Sequence, residues 1–209
     1  MITVDPTLAA EFEPIRDKEE NLLWTGKPHY VPFLASAVPV LAFGMLWGCF
    51  DLFFLVMSHR GGKGVPSFFL YPFLALHSIP AWGSVLYLVW LLLSYKNTAY
   101  AITNRRVILR SGVWAPNFQS FDMDQISEAE VTIGPIEKIM NCGTVKADAG
   151  RTNPKGIRMF ESMVAVDYPY EVYKLLKETA VNIKTDWNYP NKLRPAENPG
   201  YHTEYKPGP

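Results

Sequence analysis

Between Val31 and Tyr95 the chain carries two apolar runs almost free of charge, separated by the polar loop Ser58-His-Arg-Gly-Gly-Lys-Gly-Val-Pro-Ser67. Each run exceeds the about 20 residues that an α-helix needs to cross roughly 30 Å of hydrocarbon, so the pattern predicts two transmembrane helices. Their approximate limits are Val31–Met57 and Phe68–Tyr95. Pro39, Pro72 and Pro80 each remove a backbone donor and crowd the preceding turn, which predicts bends at those positions. The overall composition, 48% hydrophobic and 19% charged, averages this greasy stretch with sequence of ordinary soluble character after Lys96.

Lysine and arginine near the ends of the spans set the expected orientation. The connecting loop offers Arg60 and Lys63, whereas the other side offers Arg16, Lys18, Lys27, Lys96, Arg105, Arg106 and Arg110. Both termini are therefore expected in the cytoplasm. The first thirty residues are polar and acidic, which predicts no cleavable signal peptide. They read as a partly ordered arm that ends in an aromatic and cationic segment around Trp24, Lys27, His29 and Tyr30. That segment suits either the interfacial belt of a membrane or a short strand on the soluble part.

Asp51 is the one acidic residue placed inside a span, and such a group is a functional hypothesis by default. Counted from Val31 at about 1.5 Å per residue it lies roughly 30 Å along, near the far interface. Three roles are open: a hydrogen bond to the second span or hydration, contact with a neighbouring subunit, or a proton or ion pathway.

After Lys96 the pattern changes. Tyr100-Ala-Ile-Thr-Asn-Arg-Arg-Val-Ile-Leu-Arg-Ser-Gly112 alternates on both sides of Asn104-Arg105, the signature of two antiparallel strands joined by a tight turn. Further strands are expected at Phe118–Met123, Glu128–Ile133, Thr144–Ala147, Gly156–Phe160 and Met163–Val166, with turn residues between them. Pro135–Met140 reads as a turn or two of helix whose apolar side either closes one end of the domain or dips into a membrane surface. Tyr170–Val181 places Val172, Leu175, Leu176, Thr179 and Ala180 on one face, an amphipathic helix with one side to bury. From Lys184 the chain is rich in proline and tyrosine and is expected to be extended, or held against some surface through Trp187, Tyr189, Tyr201 and Tyr205.

The run Tyr-Ala-Ile-Thr-Asn-Arg-Arg-Val-Ile, with Gly112, Ile126 and Gly143-Thr144-Val145 behind it, resembles the bacterial pleckstrin-homology-like domain family, over roughly residues 20 to 180. Members commonly carry two membrane helices just before the domain. The resemblance implies an α+β membrane protein of the bacterial inner membrane. A two-helix transmembrane hairpin would lead into an antiparallel, partly open β-barrel of about seven strands with a C-terminal capping helix. The expected division is an arm at 1–30, the helices at 31–95, the domain at 96–183 and the tail at 184–209. The family shares no catalytic residues, so the resemblance implies no enzyme and no cofactor.

The residues themselves offer little chemistry. His29, His59, His77 and His202 are scattered, and Gly61-Gly-Lys-Gly64 lacks the spacing of a phosphate loop. Cys49 and Cys142 form no disulfide framework, which fits a reducing compartment. The net charge of +0 gives no support to nucleic-acid binding. What remains is binding. Arg105, Arg106 and Arg110 could meet anionic headgroups, or could form salt bridges within the domain or with a partner. The expected function is an accessory subunit or assembly factor that holds other membrane protein subunits. The alternative is a protein responsive to membrane lipids through its basic inner face.

Overall fold

The computed structural model describes residues 3–60, 66–152, 156 and 158–188, with the side chains of 185–188 outside the description. In chain order the elements are α1 (Pro6–Phe12), β1 (Leu22–Gly26), α2 (Tyr30–Ala35), α3 (Val38–Arg60), α4 (Ser67–His77), α5 (Ile79–Asn97), β2 (Ala99–Thr103), β3 (Arg106–Ser111), β4 (Asn117–Asp122), β5 (Glu128–Thr132), α6 (Pro135–Ile139), β6 (Cys142–Thr152), β7 (Arg158–Asp167) and α7 (Pro169–Asn188). They divide into two compact units, one built from residues up to Phe33 and from Asn97 onward, the other from Leu34–Lys96.

The first unit holds two antiparallel sheets, ordered β1-β2-β3-β4 and β5-β6-β7. Strand alternation sends Tyr100, Ile102, Val107 and Leu109 to one side of the first sheet. There they meet Val145, Ala147, Met163 and Val166 of the second sheet and Val172, Leu176, Ala180 and Ile183 of α7 in one core. The opposite side of the first sheet is buried as well. Ala99, Ala101 and Ile108 pack against Phe12 of α1, with Ile15, Leu22 and Phe118 around them. Two-sided burial explains why every residue of β2 is buried.

The arm is thus part of the fold. Asp5 caps α1 by accepting from the Thr7 backbone N–H at 2.8 Å, and Pro6 stands where a missing donor costs nothing. Leu22–Gly26 forms the edge strand β1 beside β2, the strand reading of this segment, with Trp24 buried in the main core. The two sheets do not close into a barrel: β4 and β5 are joined through the 3-10 turn Met123–Gln125 but do not pair. α7 packs against that turn and against β5 and β6, and the Lys184 ammonium donates to the Ile126 carbonyl. The expected strands Gly156–Phe160 and Met163–Val166 are one strand, β7, because Glu161 and Ser162 stay paired with Ala147 and Lys146. With β1 added, the described strands number seven. Ile136 and Ile139 of α6 are exposed and do not close an end of the domain. The terminal helix continues to Asn188, past the expected boundary at 184, while Tyr189, Tyr201 and Tyr205 lie outside the described residues.

In the second unit the helix α3 begins at Val38, with α2 as a separate short helix before it, and the second apolar run is two helices. Pro80 is the cause of the break. It stands in the first turn of α5, where no donor is needed, but it could not supply one to α4. Pro72 is held inside α4 and Pro39 in the first turn of α3. Two helices, Val38–Arg60 and Ile79–Asn97, are long and apolar enough to cross a membrane.

α3 and α5 approach closely through small residues. A Cβ built on Gly44 would lie 2.1 Å from Ser84 Oγ, and one on Gly48 would lie 3.5 Å from Ala81 Cβ. Gly44-x-x-x-Gly48 is a small-residue stripe of the kind that lets helix backbones meet in lipid. A Gly44→Leu chain is expected to lose about 1–3 kcal/mol by overpacking, read as faster proteolysis in mild detergent. Gly83→Leu, whose Cβ would meet nothing within 4 Å, is expected to behave like the native chain.

Candidate functional site

Two clusters bear on function, one in each unit. In the sheet unit, β3 alternation points Arg106, Ile108 and Arg110 away from the main core, toward the arm. There the arm supplies carboxylates. Arg106 makes a two-pronged contact with Glu20, Nε donating to Oε1 at 2.9 Å and Nη2 to Oε2 at 2.8 Å, the strong geometry for this pair. Its Nη2 also donates to the Ile15 carbonyl at 3.1 Å and lies 3.4 Å from Asp17 Oδ2. Arg110 Nη1 donates to Glu11 Oε2 at 2.5 Å, and Arg105 Nη2 to Glu19 Oε2 at 3.3 Å.

Glu20 is fully buried. Burial by itself would raise its pKa, but the Arg106 guanidinium, the Asp17 backbone N–H and the Thr103 hydroxyl outweigh it and hold the carboxyl below its ordinary value. Thr103 also ties the hairpin turn, its Oγ1 accepting from the backbone N–H groups of Arg105 and Arg106 at 3.1 and 2.9 Å. Of the two roles open for the three arginines, the structure displays salt bridges within the domain. Their common charge was legible in the sequence. The acidic partners were not, because Glu11 and Glu20 reach β3 only once β1 has joined the sheet.

In the helical unit the break between α4 and α5 creates a polar spot. The His77 carbonyl, freed there because the Ala81 N–H turns to Ser78, accepts from the Trp47 indole at 2.8 Å. Asp51 on α3 faces the same break. A carboxylate only accepts; Oδ1 takes a hydrogen bond from His77 Nδ1 at 2.6 Å and Oδ2 one from the Ser78 hydroxyl at 2.8 Å. The His77 ring stacks with Trp47 and Phe73, centroids 5.0 and 5.2 Å away. So Asp51 is hydrogen-bonded to the second apolar run, the first of the roles open to it. Its position also needs correcting. From the true helix start at Val38 it lies about 20 Å along, well inside the helix.

His77 is the residue that the scattered histidines concealed. The usable signal was Pro80, which forces a helix end and exposes carbonyls next to His77 and Ser78. Among the described residues no three His, Cys, Asp or Glu side chains are grouped to hold a metal ion. Trp187, Tyr189, Tyr201 and Tyr205 were expected to serve as partner contacts. Trp187 falls within α7, with its side chain outside the description, and the three tyrosines fall outside it entirely.

Neither a curated protein nor a solved structure matches the chain. The family model described as Bacterial PH domain matches residues 41–179, which takes in most of α3, all of α4 and α5, every strand from β2 to β7 and the first half of α7. With antiparallel sheets, a C-terminal helix packed on their core and a family match over most of its length, the chain belongs to the bacterial PH domain family.

Proposed function

We propose that this protein is a membrane-anchored, non-enzymatic binding module. α3 and α5 cross the bacterial inner membrane, and the PH-like unit and both termini face the cytoplasm. It serves as an accessory subunit or assembly factor of a larger membrane protein complex. One observation carries the anchoring: the helical unit is inside out. Its buried residues include Gly44, Asp51, Ser84 and Ser94, while Met45, Leu46, Phe53, Phe68, Leu76 and Leu86 are exposed. The most apolar windows of α3 and α5 are only 11% and 17% buried, the reverse of a core helix in a water-soluble fold. Such a surface suits a hydrocarbon solvent, and between its ends a helix satisfies its backbone donors and acceptors within itself, as that solvent demands.

Binding of other protein subunits gains support from the arginine face. Arg106 and Arg110 are each held by a carboxylate of the arm, so headgroup binding through them, the second reading, competes with those ion pairs, while the exposed Arg105–Glu19 contact offers less resistance. The test starts from native membranes. The chain is expected to resist alkaline carbonate extraction and, in mild detergent, to migrate in a species larger than 23.7 kDa plus its micelle. Release by carbonate overturns the anchoring. Recovery as a lone monomer overturns the subunit role.

A further inference from the structure

We propose that the β3–β4 turn is a second membrane contact, with Trp114 seated among the lipid headgroups of the bilayer that α3 and α5 cross. The inference rests on the anchoring proposed above. Trp114 is 95% exposed, the highest value among the large apolar side chains. Tryptophan on average is highly buried, so a ring presented this fully calls for something that covers it. Residues 111–120 carry no charged side chain, and at the tip Gly112-Val-Trp-Ala-Pro116 carries no polar one either.

The turn is also built, not slack. Gly112 has φ +131°, and a Cβ there would lie 2.1 Å from the Ala115 carbonyl oxygen, so the chain folds back on itself at this glycine. Ser111 pairs with Asn117 immediately below. The Asn97 side-chain amide donates to the carbonyls of Gly112 and Val113 at 3.1 and 3.2 Å.

Asn97 is the key to the partner. It is the last residue of α5, directly after Lys96, so the turn is pinned to the end of a candidate span by covalent connectivity and two hydrogen bonds. If α5 crosses the membrane, residue 97 emerges at its surface, and Trp114 stands one residue beyond the pinned Val113. An indole suits that depth, with an apolar body for the acyl boundary and an N–H for the headgroups. Lys96 can extend its stem in the same layer.

The test uses the full chain in phosphatidylcholine vesicles. Subtracting the emission of Trp114→Phe from that of the native chain isolates Trp114 from the remaining tryptophans. Nitroxide lipids labelled at headgroup level are expected to quench this difference emission several-fold more than lipids labelled deep in the acyl chain, with little quenching by aqueous iodide. A fluorophore on native Cys49, exposed at the middle of α3, reports the anchoring separately, because Cys142 is buried. If the Cys49 probe responds to deep nitroxide while Trp114 responds only to iodide, the turn is in water and the inference falls with the anchoring intact. If the Cys49 probe ignores nitroxide lipids, the anchoring itself fails. Shielding of Trp114 that is lost on dilution with excess lipid assigns the ring to a second copy of the chain, and shielding insensitive to lipid nitroxides assigns it to protein. Either result overturns the lipid assignment.

Discussion

Replacing Arg106 with alanine lowers the stability of the sheet unit by about 3–5 kcal/mol, the cost of stranding one partner of a buried ion pair. Glu20 has no exposed surface and Arg106 little, so the truncation leaves a carboxylate in the protein interior with only the Thr103 hydroxyl and the Asp17 N–H to hold it. Glu20→Gln keeps the shape and removes the charge, and Arg106 can still lean on Asp17, so a smaller loss is expected. The double replacement Glu20→Leu with Arg106→Met is expected to recover much of the deficit, since apolar substitutes for a whole buried pair are often neutral. Denaturant titration of the four chains in mild detergent measures these differences. An Arg106→Ala chain within about 1 kcal/mol of native, well short of that penalty, would show that the pair contributes no more than a surface contact.

The same pair predicts an acid limb. Glu20 has a folded pKa below its ordinary value, so its contribution is fully present above the unfolded value of about 4.3 and is lost as pH falls through the folded one. Stability measured downward from about pH 5 should therefore fall more steeply for the native chain than for Glu20→Gln. Asp148, also held low by the Gly150 backbone N–H and further hydrogen bonds, leaves a residual slope in both.

Phe12→Ala is expected to cost about 3–5 kcal/mol, although this residue precedes the matched family segment. Its ring is completely buried, edge-on to Phe118 at 6.2 Å, over Ala99, Ala101 and Ile108. The alanines on β2 cannot reach into the space it leaves, so the cavity stays open and the transfer loss is not recovered. Limited proteolysis should then cut the arm while the rest of the unit resists, and denaturant titration should show the matching shift. Unchanged protection of the arm would mean that Glu11 and Glu20 hold it without Phe12.

How much of this was legible in the sequence depended on the range of the interaction concerned. The β2–β3 hairpin was readable from Tyr100 to Ser111 because alternation and a two-residue break are local. The apolar face of α7 was readable for the same reason, through Val172, Leu176 and Ala180. Gly44-x-x-x-Gly48 marks a close helix approach by its spacing alone, but nothing in that spacing names Ser84 and Ala81 as the residues that face it. The merger of two expected strands into β7 was missed because Glu161-Ser162 looks like a break until β6 pairs across it.

Length, hydropathy and local periodicity by themselves determined two apolar helices long enough to span a membrane, a run of short antiparallel strands and a terminal amphipathic helix, since each of these signals lies within about twenty neighbouring residues. Only the tertiary structure decided that Glu20 meets Arg106 and that Asp51 meets His77. Those contacts join residues 86 and 26 positions apart. A carboxylate carries no mark of which distant cation it will find, and the pairing is selected only when burial makes every other arrangement too costly.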